Sequence, residues 1–165
     1  MTRLSRRLQN VEIKLFCIDP GIYSMGYAYW HTDDPYEIPI VGLVKSDGKK
    51  GLIWNQTAII QASKLQKLVI PFLPYIKLVL CEWPEYYGQN LVATTNKLCF
   101  MVGSVARLFP VHKFQTVTPM QWKGQLKKDV VKWRIIDHYG ERECREWKAD
   151  EWDAVGIGLW KMGVL

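Results

Sequence analysis

The sequence has few cysteines, no long apolar run and no low-complexity tract, and each absence argues against a class of protein. Its four cysteines lie far apart and form no Cys-x-x-Cys pair, which argues against a zinc site and favours reduced residues in a cytosolic protein. No apolar stretch approaches the roughly 20 residues that span a bilayer. The basic N-terminus has no apolar secretory core. We therefore expect a cytoplasmic protein without membrane contact.

What is present is typical of one folded domain. The chain has 165 residues without an internal repeat or linker, 48% of them hydrophobic and 23% charged. Its formal net charge of +6 favours a polyanionic partner, because each neutralised phosphate releases condensed counterions. Residues 1–11, which include Arg3, Arg6 and Arg7, are predicted to form a basic tail, either flexible and solvated or an arm that contacts phosphates.

Three short strands joined by tight turns are predicted at the start of the chain. The first is VEIKLFCIDPG, which ends at the turn Pro20-Gly21. The second covers Gly26 to Thr32 and the third Ile38 to Ser46, ending at Asp47-Gly48. Strands connected this closely pair as an antiparallel meander.

Beyond residue 52 the hydrophobic period becomes helical, and helices alternate with strands. Crossover connections of this length make the later strands parallel. We therefore expect an α/β fold with a mixed five-stranded sheet, three antiparallel strands and then parallel ones, and helices on both faces. The predicted helices are Leu52–Leu73, Asn90–Phe109, Lys127–Tyr139 and Asp150–Met162, and the predicted strands between them are Lys77–Trp83 and Val111–Thr118.

Four carboxylates stand at the ends of these elements. Asp19 ends the first strand and Glu82 the fourth, while Asp150 and Asp153 share one face at the start of the last helix. Each of the first three has a structural alternative: a turn residue for Asp19, a salt bridge for Glu82 and an N-cap for Asp150.

A cluster of these carboxylates needs a counter-charge, because like charges in one site repel each other. Mg²⁺ prefers oxygen ligands. Two such ions about 3.5–4 Å apart can activate a water and stabilise the leaving oxygen in phosphodiester hydrolysis. The carboxylates therefore favour a metal-dependent nuclease.

The segments around the acids carry further information. The first acid lies in CIDPGIYSMGYAYW, a strand followed by Asp-Pro-Gly, a short turn and a glycine that opens the second strand. The second ends the apolar strand of VLCEWPEYYG, a basic segment follows in TVTPMQWKGQLKKDVVKWRI, and the last two acids open a helix in DEWDAVGIGLW. In this order the segments resemble the motifs of the RuvC-type Holliday junction resolvases, which belong to the RNase H-like superfamily. The resemblance extends from about Lys14 to Trp160, and the short chain suggests a phage or viral member.

The resemblance implies a set of site residues. The metal ligands would all be carboxylates and would hold two Mg²⁺ ions, with Mn²⁺ as an expected substitute: Asp19, Glu82, Asp150 and Asp153. Lys123 and Lys128 would be the active-site lysines that meet the scissile DNA, and Lys127 is the rival of Lys128 for the second position.

The resemblance also implies a DNA wedge and a dimer. Tyr86 and Tyr87 would enter the junction centre and stack on unpaired bases at about 1–3 kcal/mol per base, with ordinary packing as the alternative. The helix predicted from Asn90 to Phe109 corresponds to the two-fold dimer interface of the resolvases and carries small residues at Thr95, Gly103 and Ala106. A homodimer would match the near two-fold symmetry of a four-way junction.

The expected function is that of a Mg²⁺-dependent crossover junction endodeoxyribonuclease, which resolves Holliday junctions and other branched DNA by paired symmetric nicks. One alternative is a ribonuclease H-like enzyme that cuts RNA–DNA hybrids, and another is a non-catalytic module that binds branched DNA on the same fold. The expected location is the cytoplasm of a bacterial cell or of a phage-infected host.

Overall fold

A computed structural model of the protein describes residues 11–46, 53–85 and 92–165. Almost all of the predicted basic tail, the predicted turn at Asp47-Gly48 and the predicted wedge residues Tyr86 and Tyr87 lie outside these ranges. The four carboxylates and the three lysines singled out above all lie within them.

Five strands form one mixed sheet in the order β3-β2-β1-β4-β5. Strands β1 (Ile13–Asp19), β2 (Ser24–Trp30) and β3 (Ile40–Lys45) pair in antiparallel fashion. Strand β4 (Ile76–Glu82) is parallel to β1, and β5 (Phe114–Val117) is parallel to β4. The predicted mixed sheet of three antiparallel and then parallel strands is therefore confirmed.

The helices differ from the prediction mainly at their ends. The first long helix ends earlier than predicted, because Pro71 follows and disfavours helical backbone before it. Two four-residue helices were not predicted, and the predicted strand from Val111 begins only at Phe114, after a single 3₁₀ turn. In chain order the α-helices are α1 (Trp54–Val69), α2 (Val92–Ala106), α3 (Pro119–Trp122), α4 (Lys128–Tyr139), α5 (Glu141–Cys144) and α6 (Ala149–Lys161).

Side chains along β1 alternate between two hydrophobic cores, one on each face of the sheet. Phe16 and Ile18 pack into the core that holds buried residues of α1 and α2. Leu15 and Cys17 pack into the core that holds buried residues of α4 and α6. Helices thus cover both faces, as predicted, and the alternation places Asp19 on the face covered by α4 and α6.

Helix α6 lies unusually close to the sheet because glycines stand at two contact points. A Cβ atom at Gly26 of β2 would lie 2.0 Å from the carbonyl oxygen of Asp150. A Cβ atom at Gly158 of α6 would lie 2.2 Å from the indole of Trp30. A larger residue at Gly26 must displace the backbone of α6, and one at Gly158 must displace either α6 or the Trp30 ring. These glycines therefore set the depth at which the first turn of α6 meets the ends of the strands.

The described helices include none that is long and apolar enough to cross a membrane. All four cysteines are free thiols; Cys17, Cys81 and Cys144 are buried, and Cys99 on α2 is only partly buried.

Gln61 of α1 is the basis of a stability prediction. Its side chain is 0% exposed, and neither its amide nitrogen nor its amide oxygen has a hydrogen-bond partner in the described part of the chain. A buried, unpaired polar group costs about 1–3 kcal/mol. We expect Gln61→Met to raise the free energy of unfolding by about 1 kcal/mol in urea denaturation, because methionine fills the same space without polar atoms.

The matched control is Gln66→Met on the exposed side of the same helix. This variant should change the free energy of unfolding by less than about 0.5 kcal/mol. A loss of stability in Gln61→Met would show that the amide has a partner, such as a buried water.

Candidate active site

Two of the predicted site residues meet because β1 and β4 are parallel neighbours. Ile18 pairs with Cys81, so that Asp19 and Glu82 end the two strands side by side. Leu80 packs into the same core as Cys17, and strand alternation therefore directs Glu82 to the same face as Asp19. Both carboxylates lie at the carboxyl edge of the parallel strands, where the first turn of α6 also lies.

Helix α6 brings two more carboxylates to this edge. Lys148 occupies the N-cap position, and its backbone N–H donates to the carboxylate of Glu151. Asp150 is therefore inside the first turn, and the alternative that it caps the helix is wrong. The hydroxyl of Ser24, at the start of β2, donates a hydrogen bond to the carboxylate of Asp150.

Asp153 lies one helical turn further on and is buried. Its Oδ2 is 2.6 Å from Nζ of Lys128, which opens helix α4. Lys127 takes the N-cap position of α4 and its side chain is exposed. Of the two rival lysines, Lys128 is the one in contact with a carboxylate of the cluster.

Glu82 is held by the short helix α3, which sequence reasoning missed. Nε1 of Trp122 donates a hydrogen bond of 2.7 Å to Oε2 of Glu82, and Nζ of Lys123 lies 3.9 Å from the same oxygen. Trp83, which follows Glu82 in the sequence, is 40% exposed, and Trp122 is the tryptophan hydrogen-bonded to Glu82.

A recognisable signal for α3 is present in the sequence Thr-Pro-Met-Gln. The hydroxyl of Thr118 accepts a hydrogen bond from the backbone N–H of Gln121, and the Gln121 side chain accepts one from the backbone N–H of Thr118. Pro119 occupies the first helical turn, where its missing N–H costs nothing. This capping box fixes α3 directly after β5 and so directs Trp122 and Lys123 to Glu82.

Three of the four predicted carboxylates, together with Lys123 and Lys128, line a common cavity of about 460 Å³. Asp150 is not part of its lining and lies beside it on Ser24. The structure thus brings three of the predicted acids and both predicted lysines to one cavity, with the fourth acid at its margin. The charged lining residues are Asp19, Glu82, Glu85, Lys123, Lys128 and Asp153.

Burial and neighbouring negative charges raise the pKa of Asp19 and of Glu82. The pKa of Asp19 lies well above its ordinary value, first because of burial and then because of the negative charges of Glu82, Asp153 and Asp150. Burial also raises the pKa of Glu82, and this effect exceeds the opposing effects of Lys123 and of the Trp122 hydrogen bond. The site therefore carries unfavourable negative charge.

Lys128 provides part of the counter-charge. Burial acts to lower its pKa, but the hydrogen bond to Asp153 and the attraction of the surrounding carboxylates raise the pKa above its ordinary value. This lysine is accordingly held in its charged form beside Asp153.

The residues fit a hard divalent cation in chemistry, although not in their present orientations. Within the described residues, no three acidic, histidine or cysteine side chains form a ready metal-binding group. Three of the carboxylates are instead engaged by protein donors: Ser24, Trp122 and Lys128. Oxygen ligands and uncompensated negative charge are nevertheless what Mg²⁺ requires, so the chemistry of the cluster suits such an ion.

Comparison with solved structures supports the fold. The chain is similar to Thermus thermophilus RuvC in complex with a Holliday junction substrate, with a TM-score of 0.68 and 20% identity over 90% of this chain and 92% of that chain. A second Thermus thermophilus RuvC structure matches with a TM-score of 0.64 and 20% identity over 91% of this chain and 96% of that chain. No family model and no curated protein matches the sequence. The chain thus has a RuvC-like, RNase H-like fold, which confirms the prediction.

The mutual repulsion in the site yields a stability prediction for Asp19→Asn. A carboxyl whose pKa is raised by folding, such as that of Asp19, binds its proton more tightly in the folded protein than in the unfolded one. This carboxyl therefore stabilises the folded protein most at low pH, where it is protonated, and the stabilisation is lost as the pH rises through the folded-state pKa. Without divalent metal, Asp19→Asn should therefore match the unmodified protein at low pH and exceed it by about 0.5–2 kcal/mol at neutral pH.

Urea denaturation in EDTA across this pH range measures the difference. The control is Asp137→Asn at an exposed position of α4, which should change stability by less than about 0.5 kcal/mol at every pH. Equal stabilities of the Asp19→Asn and unmodified proteins at neutral pH would contradict the repulsion.

Proposed function

We propose that the protein is a Mg²⁺-dependent endodeoxyribonuclease that resolves four-way and other branched DNA by paired symmetric nicks. The observation that carries this proposal is one cavity that holds Asp19, Glu82, Asp153 and two lysines at the carboxyl edge of a RuvC-like sheet. Phosphodiester cleavage needs positive charge at the phosphate, oxygen ligands for a cation and space for the DNA strand, and this cavity offers all three.

The carboxylates are proposed to hold the cation and the lysines to hold the DNA. Mg²⁺ bound by Asp19, Glu82, Asp150 and Asp153 would supply an activated water and stabilise the leaving oxygen. Lys123 and Lys128 line the cavity with their ammonium groups near Glu82 and Asp153, so that a bound phosphate would meet fixed positive charge. Positive charge placed in advance at a phosphate stabilises the charge that grows in the transition state.

Trp122 is proposed as a positioning residue. Its indole N–H holds Oε2 of Glu82 and limits the rotation of this carboxylate. The ring is buried between α3 and α6, where it would meet a Cβ atom at Gly156 at 2.5 Å. A rigid ring of this kind keeps Glu82 in place more effectively than solvent does.

Branched DNA is the proposed substrate on two grounds. The matching Thermus thermophilus protein was solved with a Holliday junction substrate, and the present chain covers 92% of that protein. The formal net charge of +6 also suits a large polyanion. Two strands must be cut in a symmetric junction, and we propose that two copies of the chain supply the two sites.

The proposed dimer surface is the exposed side of α2, although not through the small residues noted in the sequence. Thr95 is buried within its own chain, and Gly103 is exposed, so these residues do not form one surface. The exposed side instead presents Val92 and Phe100, and the ring of Phe100 packs edge-on against Trp54 at 5.3 Å.

Cleavage of an immobile four-way DNA junction with Mg²⁺ tests the proposed activity. We expect paired symmetric nicks near the junction centre, and at least about 100-fold slower cleavage by Asp19→Asn and Glu82→Gln with junction binding retained. Asp137→Asn, which removes an exposed acid far from the cavity lining, is the matched control and should cleave normally.

Other outcomes would contradict the proposal in distinct ways. Cutting of an RNA–DNA hybrid alone would indicate a ribonuclease H-like enzyme. Tight junction binding without cutting on any substrate would indicate a non-catalytic module. Normal cleavage by Asp19→Asn would show that the cavity is not the active site.

Sedimentation velocity tests the proposed dimer. The unmodified protein should sediment as a dimer, and Phe100→Glu should shift it to monomer by burying a charge in the apolar interface. Trp133→Glu places the same charge on α4, which lies on the opposite face of the sheet, and should leave the dimer intact. A monomeric unmodified protein would refute the dimer without affecting the assignment of the cavity.

A further inference from the structure

A second groove, of about 430 Å³, lies between α4 and the start of α6. Lys128 and Asp153 line this groove and also line the catalytic cavity. Their ion pair is therefore the common wall between the two spaces. A strand of DNA whose phosphate occupies the catalytic cavity has this groove as its immediate neighbour.

Two tryptophans, with Val131 and Ala149, form the apolar part of the groove. The rings of Trp147 and Trp152 lie 5.2 Å apart at an angle of 62°. The indole N–H of Trp152 already donates to the backbone carbonyl of Trp147 at 3.2 Å, which fixes the ring. Both side chains pack against the core on this face of the sheet and are only partly buried.

Lysines form the polar part. Nζ of Lys132 lies 5.3 Å from the centre of the Trp152 ring, in a cation–π contact, and Lys148 stands at the other side of the groove. The acids in the lining are Asp129 and Asp153, and Asp153 is already paired with Lys128. Lys132 and Lys148 thus outnumber the one remaining carboxylate of the lining, that of Asp129. The groove therefore favours an anionic ligand with a flat apolar part.

We propose that this groove binds one unpaired nucleotide of the cleaved DNA strand, next to the scissile phosphate. The base would stack on Trp152 in the place now taken by the ammonium group of Lys132, and Lys132 and Lys148 would then neutralise the adjoining phosphate. The proposal rests on the proposed function, because it takes the catalytic cavity as the place of the scissile phosphate.

A nucleotide suits the groove better than a double helix does. In a duplex both faces of a base are covered by neighbouring bases, whereas an unpaired base can stack on an aromatic side chain. The volume of about 430 Å³ falls in the ordinary range for small-ligand sites and accommodates one nucleotide. Lys132 is a long, exposed side chain that can leave the ring and stay near the phosphate. Unpaired nucleotides occur at the centre of an opened junction.

The test compares two probes that differ only in their bases. One is a short, fluorescently labelled oligothymidylate, and the other is an oligomer of equal length made of abasic nucleotides. Fluorescence anisotropy in EDTA gives their affinities for the Asp19→Asn protein, which keeps the groove and is expected to cleave at least about 100-fold more slowly. Stacking of one base predicts that the oligothymidylate binds about 5- to 100-fold more tightly.

Variants of Trp152 connect this preference to the groove. Trp152→Leu keeps apolar volume without an aromatic face and should bind both probes equally well. Trp152→Phe keeps a smaller ring and should retain part of the preference. Trp133→Ala, which removes a 68% exposed tryptophan from the outer side of α4, is the matched control and should retain all of it.

Equal affinities of the two probes for the Asp19→Asn protein would overturn the proposal, and so would an unchanged preference in Trp152→Leu. Junction cleavage by the unmodified protein is measured separately. If the unmodified protein cleaves the junction and Trp152→Leu still prefers oligothymidylate to the abasic oligomer, only the proposed nucleotide site in the groove is refuted. An absence of cleavage would refute the proposed function, while a preference lost only in Trp152→Leu would still place a nucleotide in the groove.

Discussion

The close packing of α6 against β2 determines where every other part of the site can lie. Gly26 lets the backbone at Asp150 approach the strand, and Gly158 lets the same helix rest on Trp30. Because a helix is rigid over three turns, these two contacts also fix the direction in which Asp153 enters the cavity. The two parallel strands deliver Asp19 and Glu82 to the same edge. If α6 lay further from the sheet, Asp150 and Asp153 on the helix would be separated from Asp19 and Glu82 at the strand ends.

The protein donors around the acids explain how so much negative charge is tolerated. Four side chains each contact a carboxylate of the cluster: Trp122, Lys123, Lys128 and Ser24. Trp122 and Lys123 are held in place by the capping box of α3, and Ser24 is held at the start of β2. These donors do not fully offset the burial and repulsion of the carboxylates, since the pKa values of Asp19 and Glu82 remain raised. Stability given up at a site is a common feature of functional clusters.

Much of this arrangement could be predicted from the sequence, and the failures have physical reasons. The strands that end at Asp19 and Glu82 were predicted from short apolar segments that stop at Pro20-Gly21 and at Trp83. Helices of four residues are too short to show a period, which is why α3 and its Trp122 were missed, although the Thr118 capping box is visible afterwards. The groove beside Trp147 and Trp152 was not predicted, because composition cannot distinguish a buried ring from one that lines a groove.

The ion pair between Lys128 and Asp153 has a consequence for how the chain matures. Some small metal-binding domains fold only when metal is supplied, because metal binding and folding are then one event. Here the buried carboxylate of Asp153 carries its own cation on the neighbouring helix. The folded chain therefore holds this carboxylate without a bound metal ion, so that under the proposed function the supply of metal would govern activity without governing assembly.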